Sequence, residues 1–176
     1  MGIQGDYDMA MQLLQSQALA IFDYHEDGCL LWKYNSEWDG RVNGRLAGKI
    51  AGAPHDGHLR VGIDGVYFYV HKIIWLWHKG YWPERLDHWD GDGYNNRIEN
   101  LRECTHAQNL QNKDVRCDSS IGIKGVSPHG NGYRARILVD GVRIHLGTRK
   151  TIEEAKALYN TAAREYFGEF AFENRP

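Results

Sequence analysis

Apolar and polar positions follow three rhythms along this chain. Residues 9–22, MAMQLLQSQALAIF, set Leu14, Ala18 and Ile21 near one side at helical spacing, which predicts a short amphipathic helix. DYHEDGCLLWKY then reads as a turn entering a strand at LLWKY. Two β-like runs, LRVGI and VYFYV, flank Asp64-Gly65, a dipeptide suited to the left-handed positions of a two-residue hairpin. Residues 71–80, HKIIWLWHKG, predict a compact helix that stops at Gly80, with Pro83 just beyond. Its Trp75 and Trp77, like Trp82, suit a core better than a stacking platform.

Residues 86–112, LDHWDGDGYNNRIENLRECTHAQNLQN, break from that rhythm. Asp87 and His88 close a short apolar run. A polar loop follows, whose Asp and Asn side chains can form local turns and whose Gly residues reach left-handed conformations. ENLRECT reads as a second, antiparallel strand. A helix then starts at His106, with Thr105 and Gln108 spaced as a capping box. NKDVRCDSS, 112–120, has no periodicity and reads as a linker.

The last block alternates most clearly. A strand around 122–127 precedes YRARILV and VRIHL, which Asp140-Gly141 joins as a hairpin. Thr151 and Glu154 then form a capping box, and Ala155, Leu158, Tyr159, Ala162 and Tyr166 make one helical face. Tyr133, Ala135, Ile137 and Val139 point to one side of the sheet with Val142, Ile144 and Leu146. Arg134, Arg136, Arg143 and His145 take the other. A solvated face is one reading of that arrangement. Four cationic or cationisable groups with no acid among them favour a phosphate-binding face.

Charge adds to this picture only through its distribution. The total is −2, yet residues 121–150 hold 6 basic groups against 1 acidic one. Three cysteines at wide spacing, with no C-x-x-C pair, support neither a disulfide framework nor a zinc knuckle, and a reducing cytoplasm is the simplest compartment. No apolar run approaches 18 residues, so no membrane span is expected. The acidic start MGIQGDYDMAMQ is not a secretory signal.

Asp87, His88, Asn100 and Asn109 are the candidate chemistry. Phosphodiester hydrolysis needs a cation on the phosphate oxygens, a base for the water, and groups that hold both. Asp87 is a hard oxygen ligand suited to Mg²⁺ or Mn²⁺. His88 is the natural base because imidazole titrates near neutrality. Asn109, in the first turns of its helix, can offer a side-chain oxygen as a second ligand. An Asp-His pair alone is common. The DGDGYNN loop is not a calcium-binding EF-hand, because position 12 is Ile98 counted from Asp87 and Leu101 counted from Asp90, not Glu.

From about Ile21 to Asn112 the chain resembles phage-type HNH endonucleases, the homing branch of the ββα-metal superfamily. FDYHEDGCLLWK, VHKIIWLWHKGYWP, LDHWDGDGYNNRIENLR and THAQNLQNK carry the resemblance. It implies that Asp87 and Asn109 hold one divalent metal, that His88 is the general base, and that Asn100 orients His88 and ties the loop. It also implies metal-assisted hydrolysis of DNA to 5′-phosphate and 3′-hydroxyl ends. His71, in the matching VHKIIW segment, either approaches the scissile strand or has a structural role. Arg97 and Arg102 flank the site and either touch phosphates or form ion pairs. His55, His58 and His129 are assigned no role.

From about Gly122 to Phe170 the chain resembles the DNA-binding domain of the APETALA/ethylene-response-factor type, through KGVSPHGNGYRARI and VRIHLGTRKTIEEAKALYNTAAREYFGE. That resemblance implies a three-stranded sheet docked in the major groove of double-stranded DNA, with Lys124, Arg134, Arg136, Arg143 and His145 as contacts. Arg134 and His145 depart from the aromatic-rich contacts of plant relatives, so no target sequence carries over.

The expected architecture is therefore α+β. A nuclease domain occupies 1–113, with its ββα-metal core at about 84–113. A linker covers 114–120, and a three-stranded sheet packed on one helix covers 121–176. The expected function is a site-selective nickase of phage or mobile-element type, monomeric or homodimeric, with no obligate protein partner, in the host cytoplasm if phage-encoded. The alternatives are a DNA-binding regulator with a vestigial nuclease core and an RNA-processing nuclease.

Overall fold

A computed structural model describes residues 13–37, 39–112 and 121–174, and the chain forms two compact units, Met1–Glu103 and Cys104–Pro176. Both mix helices with antiparallel strands, an α+β architecture. The expected linker over 114–120 and residues 9–12 of the expected first helix lie outside the described residues. Among the described residues no helix is long and apolar enough to cross a membrane.

Among the described residues the first unit opens with α1 (Gln15–Ile21), whose Ala18 is fully buried. β1 (Phe22–Tyr24) pairs antiparallel with β2 (Leu30–Trp32), and α2 (Gly40–Leu46) follows. β3 (Ala53–His55), β4 (His58–Ile63) and β5 (Val66–Tyr69) form an antiparallel sheet in that order. The β4–β5 hairpin turns at Asp64 and Gly65, with φ of 49° and 81°, as the Asp-Gly dipeptide predicts.

α3 (Val70–Lys79) organises the core. Val70, Ile73 and Ile74 lie at helical spacing and are wholly buried against Phe22, Leu30 and Val61. Each such side chain contributes about 1.5–3 kcal/mol of transfer free energy. The helix ends at Gly80, whose φ of 82° is the left-handed cap and whose N–H bonds to the Leu76 carbonyl. Trp75 is buried, and Trp77 and Trp82 pack on the same cluster, so the tryptophans are core. Gln15 Nε2 donates to the Trp77 carbonyl at 3.0 Å and Trp82 Nε1 to the Leu13 carbonyl at 2.7 Å, fastening the first helix down. The unit closes with the hairpin β6 (Leu86–His88) and β7 (Leu101–Glu103).

The second unit begins with α4 (His106–Asn112). Its capping box forms as the spacing predicts: Gln108 N–H donates to Thr105 Oγ1 and Thr105 N–H to Gln108 Oε1. A sheet of β8 (Val126–His129), β9 (Gly132–Val139) and β10 (Val142–Arg149) then packs on α5 (Ile152–Phe167). β8 starts later than the strand expected around 122–127. Gly122 and Gly125 have φ of 63° and 73°, which extended backbone excludes. A Cβ at Gly125 would also collide with the Tyr159 ring, so only glycine lets the chain pass that ring. Ala135, Ile137, Ala155, Tyr159, Ala162 and Ala163 make the core. Tyr166, expected on the inner helical face, is 50% exposed, and Ala163 is fully buried in its stead.

Candidate active site

The β6–β7 register positions the first functional pair. Asp87 lies directly opposite Arg102, so their side chains share a face. Arg102 Nε and Nη2 reach Asp87 Oδ2 at 3.0 and 2.8 Å. Both side chains are nearly buried, at 8% and 12% exposure. Arg102 thus compensates a buried carboxylate rather than standing free beside the site, and its guanidinium also lies 4.8 Å from the Trp89 ring centre.

The loop between β6 and β7 folds on its own polar side chains. Asp90 Oδ1 accepts from Asp92 N–H and from Asn100 Nδ2, both at 2.9 Å. Asn100 Oδ1 accepts from Asp90 N–H at 3.1 Å, and Asn100 Nδ2 also donates to the Asn95 carbonyl at 2.7 Å. Asn95 Nδ2 bonds Asp90 Oδ2 at 2.6 Å. Burial pushes the Asp90 carboxyl up, but hydrogen bonds from Asn95, Asn100 and Asp92 hold it below the usual value. Asn100, 8% exposed, is the tie at the centre of the loop.

His88 is buried and its Nε2 stands 3.0 Å from Asn96 Oδ1. This contact fixes the ring's orientation. The amide that touches His88 belongs to Asn96, while Asn100 acts through the loop by holding the Asn95 carbonyl. Burial lowers the pKa of His88, and the Asn96 hydrogen bond opposes that shift. Its ring packs edge-on against His71 at 5.1 Å between centroids and lies 5.5 Å from His58. His71 is 7% exposed and stacks on Tyr69 at 5.4 Å. Burial, then the neighbouring His88, His58 and Lys72, push its pKa down to about 3, so it is neutral. His71 Nδ1 and Asn96 Nδ2 are buried without a hydrogen-bond partner.

Asp87, His88 and Asn100 thus meet on one hairpin, with Asn96, His58 and His71 around His88. Asn109 is half-buried on α4, which belongs to the second unit. Arg97 is exposed beside the loop. His71 lies inside the fold rather than at a helix end open to solvent. Asn96 and His58 are the residues that sequence reasoning passed over. Nothing local separates Asn96 from Asn95. His58 carried a signal, because alternation through HLRVGI puts it on the polar side of its strand.

In the second unit the register confirms the cationic face. Arg136 pairs with His145, Leu138 with Arg143, and Arg134 with Ser127 and Thr148. Burial and then the charges of Arg134 and Arg143 lower the pKa of Arg136, so three guanidiniums share one surface. Lys124 has a local structural contact: Nζ donates to the Gln111 carbonyl at 2.7 Å, at the C-terminal end of α4, and lies 4.9 Å from the Phe172 ring centre.

Residues 68–111 match the family described as HNH endonuclease. The chain is 36% identical over 90 residues to an uncharacterized HNH endonuclease of Acanthamoeba polyphaga mimivirus, covering 51% of this chain and 46% of that protein. It is 30% identical over 95 residues to Protein 3.8 of Escherichia phage T7, covering 53% of this chain and 75% of that protein. The chain therefore spans less than half the length of the mimivirus relative. No solved structure matches it.

Proposed function

We propose that this chain, which belongs to the HNH endonuclease family, is a metal-dependent endonuclease that hydrolyses phosphodiester bonds of double-stranded DNA. One observation carries the reading. The buried His88 is held through Nε2 by Asn96 Oδ1 and follows the buried Asp87 directly in the chain, within the family match.

The donor chemistry fits a hard divalent ion. Among the described residues no three His, Cys, Asp or Glu side chains converge as a metal cage. Mg²⁺ asks for no such cage: it is held by one or two protein oxygens, with water and phosphate completing the shell. Asp87 is the carboxylate of the first unit that would hold Mg²⁺ or Mn²⁺. When bound, the ion would offset charge on the phosphate and leaving oxygens. His88 takes a proton from the attacking water. Asn96 holds the ring, and Asn100 holds the loop that carries Asn96. The ends left are 5′-phosphate and 3′-hydroxyl. One such site among the described residues would cut one strand per event, which supports a nickase, homing-type by the resemblance.

The C-terminal sheet is the second DNA contact in this proposal. Its register and its Arg134, Arg136, Arg143 and His145 face support the resemblance to the APETALA/ethylene-response-factor domain. Tethering the two contacts raises the effective concentration of each.

The Arg102 pair on Asp87 favours a second reading, a DNA-binding regulator with a vestigial nuclease core, because a guanidinium already neutralises the carboxylate. Supercoiled plasmid with Mg²⁺ or Mn²⁺ separates the two. Open circles made by the wild type, and lost with EDTA or in His88→Ala, support the nuclease. Plasmid and genomic DNA left intact by a chain that still shifts duplex DNA in a gel would support the regulator.

A further inference from the structure

The β3–β4–β5 sheet has one face in the core and one outside. Leu59, Val61, Ile63 and Phe68 pack inward. Directly paired residues share a face, and the pairs are His55 with His58, Ala53 and Tyr69 with Arg60, and Gly62 with Tyr67. The outer face therefore carries two tyrosines, two histidines, one arginine and no acid. Asp56 and Asp64 sit in the turns, and Asp56 Oδ2 lies 3.5 Å from His55 Nε2.

These side chains are ordered by one another. The Tyr67 ring lies beside Gly62, where a Cβ would approach its Cε1 to 3.3 Å, and the Arg60 guanidinium stands 4.3 Å from the ring centre. Tyr67 is nonetheless 65% exposed. Arg60 Nη1 donates to His55 Nε2 at 3.1 Å. Tyr69 lies 6.4 Å from His55 and 5.7 Å from His58, and His58 lies 5.5 Å from His88. His58 Nδ1 donates to the Asp56 carbonyl at 3.0 Å. Rings and cations thus run without interruption from an exposed tyrosine to the candidate base.

We propose that this face binds an unpaired stretch of the DNA strand that carries the scissile phosphate, with Tyr67 stacking on a base and Arg60 contacting a phosphate on the way to His88. The proposal rests on the nuclease reading for the identity of its ligand. Single strands are held by aromatic platforms beside cationic groups, since every base has a π-face and every linkage a charge. A tyrosine held by its neighbours gives up little further conformational freedom on stacking. The face lies mostly outside residues 68–111, so the family match does not assign it.

The test uses the full chain with labelled single-stranded and duplex oligonucleotides in EDTA, read by fluorescence anisotropy. Tyr67→Ala should weaken binding by roughly 5- to 150-fold, the effect of losing one stacked base. Tyr67→Phe should stay within about twofold. Arg60→Ala should lower the slope of log affinity against log salt by about 0.7–0.9, one phosphate contact. Melting temperatures report that the variants fold. Wild-type affinity in folded Tyr67→Ala, from a chain whose wild type cuts plasmid, overturns this inference and leaves the nuclease reading standing. Tyr67-dependent binding by a chain that never cuts does the reverse. A change in sedimentation with unaltered DNA affinity overturns the proposal in favour of a second copy of the chain on this face.

Discussion

Asn96 Oδ1 lies 3.0 Å from His88 Nε2, and that contact orients the imidazole of the candidate base. Asn96 is 1% exposed, so no water competes for the bond. Its remaining donor, Nδ2, is buried and unpaired. Removing the amide should leave the ring present but its orientation unset. Asn96→Ala is expected to reduce kcat by on the order of 10- to 100-fold, the usual effect of deleting a group that orients a functional side chain. KM for DNA should hardly move. Single-turnover nicking by Asn96→Ala at the wild-type rate would refute the role.

Arg102 is expected to matter more for the fold than for cutting. Arg102→Ala leaves the Asp87 carboxylate buried without its guanidinium. Breaking one side of such a pair costs about 3–5 kcal/mol. Chemical denaturation should show that loss as a lower midpoint. Arg102→Leu with Asp87→Leu should recover most of it, while remaining inactive if Asp87 holds the metal.

His71 predicts an acid-labile fold. Its pKa is about 3 in the folded chain, against an ordinary value near 6.5. Between those values the unfolded chain binds the extra proton. Stability is therefore fully present above about pH 6.5 and falls as pH drops toward 3, by up to about 1.4 kcal/mol per pH unit for this group. Urea unfolding of the wild type at pH 7 and pH 5 should show the drop. In His71→Phe the dependence on pH should be shallower, whatever its stability at pH 7. Equal slopes would rule out His71 as the cause.

The C-terminal face should act through phosphate charge. Arg136→Ala and Arg143→Ala remove two of the three mutually repelling guanidiniums. Each is expected to lower the slope of log affinity for duplex DNA against log salt by about 0.9. Plasmid nicking should slow through KM, with kcat retained. A slope unchanged in the double variant would show that the face is merely solvated.

Much of this was legible because its causes are local. Asp64-Gly65 and Asp140-Gly141 form their hairpins through their own backbone preferences. Gly80 stops α3, and the capping boxes at Thr105 and Thr151 close within three residues. The cationic face needed only alternation, since a strand cannot send neighbouring side chains to one side. The start of β8 was misjudged because the constraint is distant: Gly125 must slip past Tyr159, 34 residues later in the chain.

The chain by itself determined the element types, the turn positions, the Asp87-His88 pair and the loop tied by Asn100, because propensity, capping and short-range hydrogen bonds act among neighbours. Only the tertiary structure decided that Asn96 rather than Asn95 meets His88, that Arg102 closes on Asp87, and that His58 and His71 converge on one imidazole. Those contacts depend on strand register and on which groups are shut away from water, and both follow from packing between segments far apart in sequence.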